Sequence, residues 1–108
     1  MNLEWLHVTW ADGTLRRTAV VSRDSDWELF DRVARRLESD LGGAWVERLD
    51  GLDERYWDFE AAGGKLTLHY QHNLGITLYI AHELPDDHEL SRGLLEKAFD
   101  RLSAYDPT

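Results

Sequence analysis

The chain has 108 residues, 43% of them apolar, and its 12 basic and 21 acidic side chains give it a net charge of −9. This length and apolar content predict one ordered domain with a packed core. Cysteine is absent, which excludes disulfides, thiolate metal ligands and cysteine nucleophiles. Because clustered positive charge is what binds a phosphate backbone, the acidic balance argues against nucleic acid as a partner.

The sequence also lacks the signals of membrane insertion and secretion. No apolar run approaches the roughly 18 residues of a membrane span, and residues 1–7 lack the basic segment that opens a secretory signal. We therefore expect a cytoplasmic protein without a membrane partner. Its acidic surface either only keeps it in solution or steers it toward a basic protein by long-range attraction.

The first part of the chain predicts a hairpin followed by a helix. Two alternating segments, residues 3–10 and 14–21, flank Asp12-Gly13, which is a strong signal for a two-residue turn. Residues 25–28 have the S-x-x-E pattern of a capping box. Apolar residues then recur at helical spacing as far as Gly42-Gly43, where the helix is expected to stop.

Four more strands and a second helix complete the predicted domain. A short strand is expected at 44–49, and three longer ones at 56–62, 65–72 and 76–82. The second helix follows Pro85, with Asp86 as its cap, and ends near Tyr105. This order predicts an α+β domain, an antiparallel meander of about five to six strands with both amphipathic helices packed on one face.

The register of the central hairpin follows from its apolar residues. A tight turn at Gly63-Gly64 pairs Ala62 with Lys65. Apolar side chains then meet apolar side chains across the two strands, and Asp58 lies beside His69.

The next hairpin extends this register to a third strand. A three-residue loop over residues 73–75 keeps the apolar side chains on one face, and it puts Gly75 in the left-handed position of a bulged turn. Asp58, His69 and Tyr79 then form one row across three strands, on the face away from the apolar side.

This polar face is the candidate site. An aspartate beside a histidine raises the imidazole pKa and fixes the ring, and a tyrosine adds a hydroxyl, so the row has groups suited to acid-base work or to binding a polar ligand. Three further residues share the face: Glu60, Thr67 and Gln71. The alternative is a solvated sheet face with cross-strand polar pairs, each contributing about 0.2 to 1 kcal/mol.

No catalytic residue, cofactor or metal site is assigned from the sequence. His69 and His72 are three apart on a strand, so they point to opposite faces and cannot share an ion. Glycine-rich phosphate loops, nucleophile elbows and H-E-x-x-H motifs do not occur.

Trp5 has an ambiguous position in the first strand. Its alternation partners are Leu3, His7 and Thr9, whereas the more apolar set lies at the other parity: Leu6, Val8 and Trp10. Either Trp5 belongs to an interaction surface or the apolar set of this strand does not face the core.

Residues 56–76 carry the pattern YWDFE-x-x-G-x-K-LTLH-x-x-H-x-LGI. The pattern is similar to that of small single-domain bacterial proteins in an uncharacterised family. This resemblance covers about a fifth of the chain and implies no established activity, so it assigns no role to Asp58 or His69. In size, acidity and lack of catalytic motifs, the chain also resembles immunity proteins that neutralise toxins.

Three functional hypotheses follow. The first is a non-enzymatic module whose acidic surface binds a basic protein, as an immunity protein or another inhibitor does. The second is an enzyme or small-ligand binder that uses Asp58, His69 and Tyr79. The third is a homodimer that hides the polar sheet face or a strand edge.

Overall fold

A computed structural model of the chain describes residues 1–107. Six antiparallel strands form one sheet, and the element order ββαββββα confirms the predicted α+β class. The elements are β1 (Glu4–Thr9), β2 (Leu15–Ser22), α1 (Trp27–Leu41), β3 (Ala44–Asp50), β4 (Glu54–Ala61), β5 (Gly64–Gln71), β6 (Gly75–Ile80) and α2 (Glu89–Ser103). Within the described residues, neither helix is long and apolar enough to cross a membrane.

The strands lie in the order β1-β2-β6-β5-β4-β3. Strands β3 to β6 therefore form a meander, and the β1–β2 hairpin joins it where β2 pairs with β6. At that junction the register shifts between Val20 and Ser22, as it also does between Trp45 and Glu47 on the edge strand β3. Such bulges bend a strand and increase its twist, so the sheet is curved.

Both helices pack on the same face of the sheet and enclose the core. Alternation along the four inner strands, β2, β4, β5 and β6, sends one set of apolar side chains to this face. The side chains that are almost fully buried there include Phe30, Val33, Leu37, Phe59, Leu66, Leu68, Ile76, Leu78, Ile80, Leu95 and Leu102.

The helix caps differ from those that the sequence predicted. Asp26, not Ser25, caps α1, because its carboxylate accepts the Leu29 N–H at 3.0 Å, while the Ser25 hydroxyl donates to the Gln71 carbonyl instead. Gly42 ends α1 in the left-handed conformation, at the predicted stop.

The cap of α2 is His88, not Asp86. The Asp86 carboxylate instead accepts a hydrogen bond from the backbone N–H of Arg17 on β2, and it does not cap the helix. His88 Nδ1 lies 2.8 Å from the hydroxyl of Ser91, and that hydroxyl also accepts the Lys65 N–H at 3.0 Å. Ser91 is fully buried, so this serine-histidine pair holds α2 against β5.

The central hairpin has the predicted faces but a different register. Ala61 pairs with Gly64, and the turn residues are Ala62 and Gly63, both with positive φ. The predicted pairing of Asp58 with His69 is therefore wrong, and Asp58 pairs with Thr67. Gly64 belongs to β5, where α2 passes directly over it, and a Cβ there would lie 2.8 Å from the Leu90 carbonyl oxygen.

The following hairpin shifts by the same two residues. Gln71 pairs with Gly75, so the loop consists of residues 72–74. Gly75 has a φ of 100°, which confirms the predicted left-handed conformation at that residue. Because a shift of two residues keeps alternation intact, the side chains of β4, β5 and β6 from Tyr56 to Ile80 stay on their predicted faces.

Trp5 lies on the helix face. Its ring stacks on Phe99 with a centroid distance of 4.3 Å, and the Arg17 guanidinium lies 3.6 Å from its centroid. The more apolar set of β1 consequently points to the opposite, open face of the sheet. Leu6 and Val8 are each 38% exposed there.

Arg55 is buried between the sheet and α1, at only 6% exposure. Its guanidinium pairs with Asp31 at 2.9 Å and with Asp50 at 3.1 Å. It also lies 4.2 to 4.5 Å from the centroids of three aromatic rings: Trp27, Phe30 and Trp57. We name this group the Arg55 cluster.

Candidate functional site

The open face of the sheet is a groove with a volume of about 750 Å³. It is lined by all six strands and by neighbouring loop residues, and by no residue of either helix. The groove exists because the sheet curves and both helices lie on its other side.

The rim of the groove is apolar and exposed. Leu6 and Val8 come from β1, Leu49 from β3 and Leu74 from the loop before β6. Leu49 and Leu74 are 58% and 63% exposed. Large exposed apolar side chains that share one concavity are typical of an interaction surface.

The groove contains five of the six side chains that the sequence placed on the polar face: Asp58, Thr67, His69, Gln71 and Tyr79. Glu60 is exposed and lies beyond the groove, opposite Lys65. The predicted single row is wrong, since Asp58, Thr67 and Tyr79 share one row and His69 lies in the next.

Asp58 keeps one oxygen without a hydrogen bond. The Thr67 hydroxyl donates to Oδ1 at 2.5 Å. The nearest cation to Oδ2 is the Lys65 ammonium, at 3.9 Å, and that ammonium donates to Glu83 instead. Within residues 1–107, Oδ2 therefore lacks a hydrogen-bond donor.

Aromatic rings run along the floor of the groove. Tyr56 stacks on His69 at 4.1 Å, and His69 lies 6.1 Å from Tyr79. Trp10 meets Tyr79 edge-on at 5.3 Å and stacks on His82 at 5.0 Å. We call these five rings the aromatic row.

His69 is held as a neutral ring. Burial lowers its pKa, and the nearby Glu54 carboxylate opposes that shift only in part. Nδ1 lies 3.4 Å from the Tyr79 hydroxyl. Nε2 is buried without a hydrogen bond, 3.7 Å from Glu54 Oε1. Burial also raises the pKa of Tyr79, so neither side chain carries a charge near neutral pH.

The lowered pKa of His69 predicts a stability that falls on acidification. The ordinary value of 6.5 applies to the unfolded chain, so below about that pH the unfolded state binds more protons than the folded state. The free energy of unfolding should then drop by less than about 1.4 kcal/mol per pH unit for this group. Denaturant unfolding of the unmodified chain and of His69→Gln, from about pH 7.5 to about pH 5.5, measures how much of the pH dependence of stability is due to His69.

His72→Gln is the control for this experiment, because His72 is an exposed histidine on the loop after the same strand. It removes an imidazole from the same part of the chain without changing the lining of the groove. If the pH dependence of His69→Gln matches that of the unmodified chain, His69 is not held neutral by the fold.

The apolar rim is the part of the groove that the sequence did not reveal as a site. Strand β1 gave a partial signal, because its more apolar set, which continues to Trp10, lies at the parity opposite to that of Trp5. Leu49 and Leu74 gave none, since each is a single leucine beside a turn. Within the described residues, no three histidine, aspartate or glutamate side chains converge as metal ligands.

Comparison with curated proteins and with solved structures gives no significant match to this chain. A family described as a protein of unknown function, DUF3630, matches residues 11–96. The matched segment runs from the β1–β2 turn into α2 and contains Asp58, Thr67, His69 and Tyr79. Because the match covers most of the sequence, the chain belongs to the DUF3630 family of proteins of unknown function.

Proposed function

We propose that this protein is a non-enzymatic cytoplasmic binding domain, and that its groove receives part of a basic partner protein. The observation that carries the proposal is the exposed apolar rim around the concave open face. An immunity protein that neutralises a basic toxin is one domain of this kind.

The apolar rim supports a protein partner. Leu6, Val8, Leu49 and Leu74 expose apolar surface from opposite sides of the groove. Fully burying one such side chain contributes about 1.5 to 3 kcal/mol. A partner that covers several of them together gains most of its affinity from this contact.

The charge of the chain supports a basic partner. A net charge of −9 on 108 residues produces a negative potential that speeds the approach of a cationic protein. Added salt screens this attraction. The association rate should therefore fall as the ionic strength rises.

The groove also offers polar groups to a partner. His69 and Tyr79 are neutral near neutral pH because burial disfavours their charged forms. One oxygen of Asp58 is held by Thr67. The groove thus presents hydrogen-bonding groups and aromatic rings that a partner surface can contact.

A small ligand is the second candidate occupant. Its support is the volume of about 750 Å³, which lies within the roughly 300 to 1,000 Å³ typical of small-molecule sites. Asp58, His69 and Tyr79 all line that volume. A second copy of the chain is a further possible occupant, and sedimentation measures it directly.

The test is affinity capture by the tagged chain from its own cells at low and moderate salt, with mass spectrometry of the retained proteins. We expect one stoichiometric basic protein, held less well at the higher salt. Leu49→Arg should weaken its binding at least about tenfold, which corresponds to about 1.4 kcal/mol. The reason is that the change puts a cation on the rim in place of an apolar contact.

Leu52→Arg is the matched control. Leu52 is 98% exposed in the turn after β3 and does not line the groove, so this variant adds the same charge outside the site. Equal loss in the two variants contradicts the proposed surface. Capture of no stoichiometric protein contradicts a protein partner and favours the small-ligand alternative.

A further inference from the structure

We propose that the groove recognises its partner through an arginine side chain, whose guanidinium pairs with Asp58 and packs on the tyrosine end of the aromatic row. This inference rests on the proposed function and names the chemistry that the groove selects. It draws on three independent observations: a carboxylate oxygen without a hydrogen bond from the chain, the local charge balance and the tyrosine rings that line the groove.

The free oxygen of Asp58 is the anchor. The Thr67 hydroxyl fixes the carboxylate through Oδ1, which leaves Oδ2 without a donor in the described part of the chain. The Asp58 side chain is only 17% exposed. A hydrogen bond to a charged donor is stronger there than at a fully hydrated surface.

The charges around Asp58 favour a cation. Two carboxylates line this part of the groove, those of Asp58 and Glu83. The one ammonium between them, that of Lys65, lies 2.5 Å from Glu83 and 3.9 Å from Asp58, so it offsets only one of the two negative charges. Arg16 adds a second positive charge only at the far end, 4.5 Å from the Trp10 ring. The Asp58 end therefore has an excess of negative charge.

Charges at the rim do not alter this balance. Arg23 is the basic residue that lines the groove at its rim, and it pairs with Glu4. His69 is uncharged, as its burial requires. A cation in the groove consequently meets no unpaired positive group near Asp58.

The aromatic row gives the cation a surface to pack on. Tyr56 and Tyr79 line the groove on either side of His69. A guanidinium over such a ring is attracted electrostatically by the negative face of the ring. The Trp10 end already holds the Arg16 guanidinium, so the open position is the end near Asp58.

Arginine fits this arrangement better than lysine. Its guanidinium is flat, so it can lie on a ring while its N–H groups point at a carboxylate in the same plane. An ammonium is compact and strongly hydrated, and it cannot make both contacts equally well. We therefore expect a preference for arginine over lysine.

The probe for this proposal is N-acetyl-arginine methylamide, titrated into the ¹⁵N-labelled chain while the Trp10 indole and Thr67 amide signals are followed. N-acetyl-citrulline methylamide is the matched neutral analogue, because it keeps the shape and loses the charge. We expect binding at least about fivefold weaker for citrulline, and weaker binding for the lysine analogue. Equal binding of arginine and citrulline overturns the proposal, as does the absence of any saturable shift.

Asp58→Asn and Glu60→Gln form a matched pair of variants. Each removes one carboxylate charge from the same strand and the same face, but only Asp58 lines the groove. Asparagine keeps an oxygen for the Thr67 hydroxyl, so the fold is expected to persist, and the amide spectrum checks it. Arginine binding should fall at least about fivefold in Asp58→Asn and stay unchanged in Glu60→Gln.

The same variants separate this inference from the proposed function. If Leu49→Arg releases the captured partner but Asp58→Asn does not, the groove binds a protein by other contacts and the arginine inference is wrong. If Leu49→Arg has no effect on the partner, the proposed function itself fails. Loss of the partner in both variants supports both statements.

Discussion

Replacing Arg55 with alanine should lower the free energy of unfolding by about 3 kcal/mol. Arg55 is 6% exposed, and its guanidinium lies between three aromatic rings. Alanine removes those contacts and leaves a cavity under α1, which is costly in a packed interior. It also separates Asp31 and Asp50 from their shared cation.

Most of this loss comes from packing and ring contacts rather than from the ion pairs. The side chains of Asp31 and Asp50 are 38% and 50% exposed, so water solvates both when the guanidinium is gone. The Asp50 carboxylate still accepts a hydrogen bond from the Trp57 indole N–H at 2.7 Å. This hydrogen bond is the main cause of the lowered pKa of Asp50. Arg55→Lys keeps the charge but not the flat group, and should recover only part of the stability.

Arg23→Ala is the control for Arg55. Arg23 also pairs with a carboxylate, that of Glu4, but its side chain is 65% exposed. Pairs of this kind contribute at most about 1 kcal/mol. Denaturant unfolding measures both variants, and a loss no larger in Arg55→Ala than in Arg23→Ala would show that the Arg55 cluster does not stabilise the fold.

Gly75→Ala is expected to be about as damaging, with a loss of roughly 3 kcal/mol or more. Gly75 has a φ of 100°, where a side chain is strained. A Cβ there would also lie 2.1 Å from the Ser22 carbonyl oxygen. Because backbone atoms cannot move aside cheaply, β6 and β2 would have to separate at their junction.

Gly13→Ala isolates the strain from the steric clash. Gly13 also has a positive φ, 84°, but nothing lies within 4 Å of a Cβ placed there. Only the conformational cost remains, about 1 to 2 kcal/mol. Thermal or denaturant unfolding compares the two variants, and equal losses would mean that the contact with Ser22 relaxes without cost.

Alternation in the sequence was enough to predict the faces of the strands. Leu66 and Leu68 point to the core while Thr67 and His69 point away, as their parity requires. For this reason the fold class and the polar face were both predictable. Parity alone also placed Asp58 and Tyr79 on the surface that forms the groove.

Register was not predictable in the same way, because a shift of two residues keeps parity unchanged. A two-residue turn at 62–63 and one at 63–64 give the same faces, and the structure has the first, with Ala62 and Gly63 at positive φ. The pairing of Asp58 with Thr67 rather than His69 follows from that turn.

The rim of the groove was hidden for a related reason. Leu6 and Leu49 lie on β1 and β3, the two edges of the sheet. Only the curvature of the sheet brings them to one concavity, and that curvature depends on bulges and twist. Trp5 shows the same limit, since its stacking on Phe99 joins residues from opposite ends of the chain.

The junction between β2 and β6 links assembly of the groove to the order of folding. Strands β3 to β6 are neighbours along the chain and can form by local steps, whereas β2 must find β6 across the whole meander. Contacts between segments so distant in sequence form slowly, because a long loop must close first. Two of the four rim residues, Leu6 and Val8, lie on β1 and join the groove only when β2 pairs with β6. A chain in which this pairing has not formed contains Asp58 and His69 but lacks the complete groove.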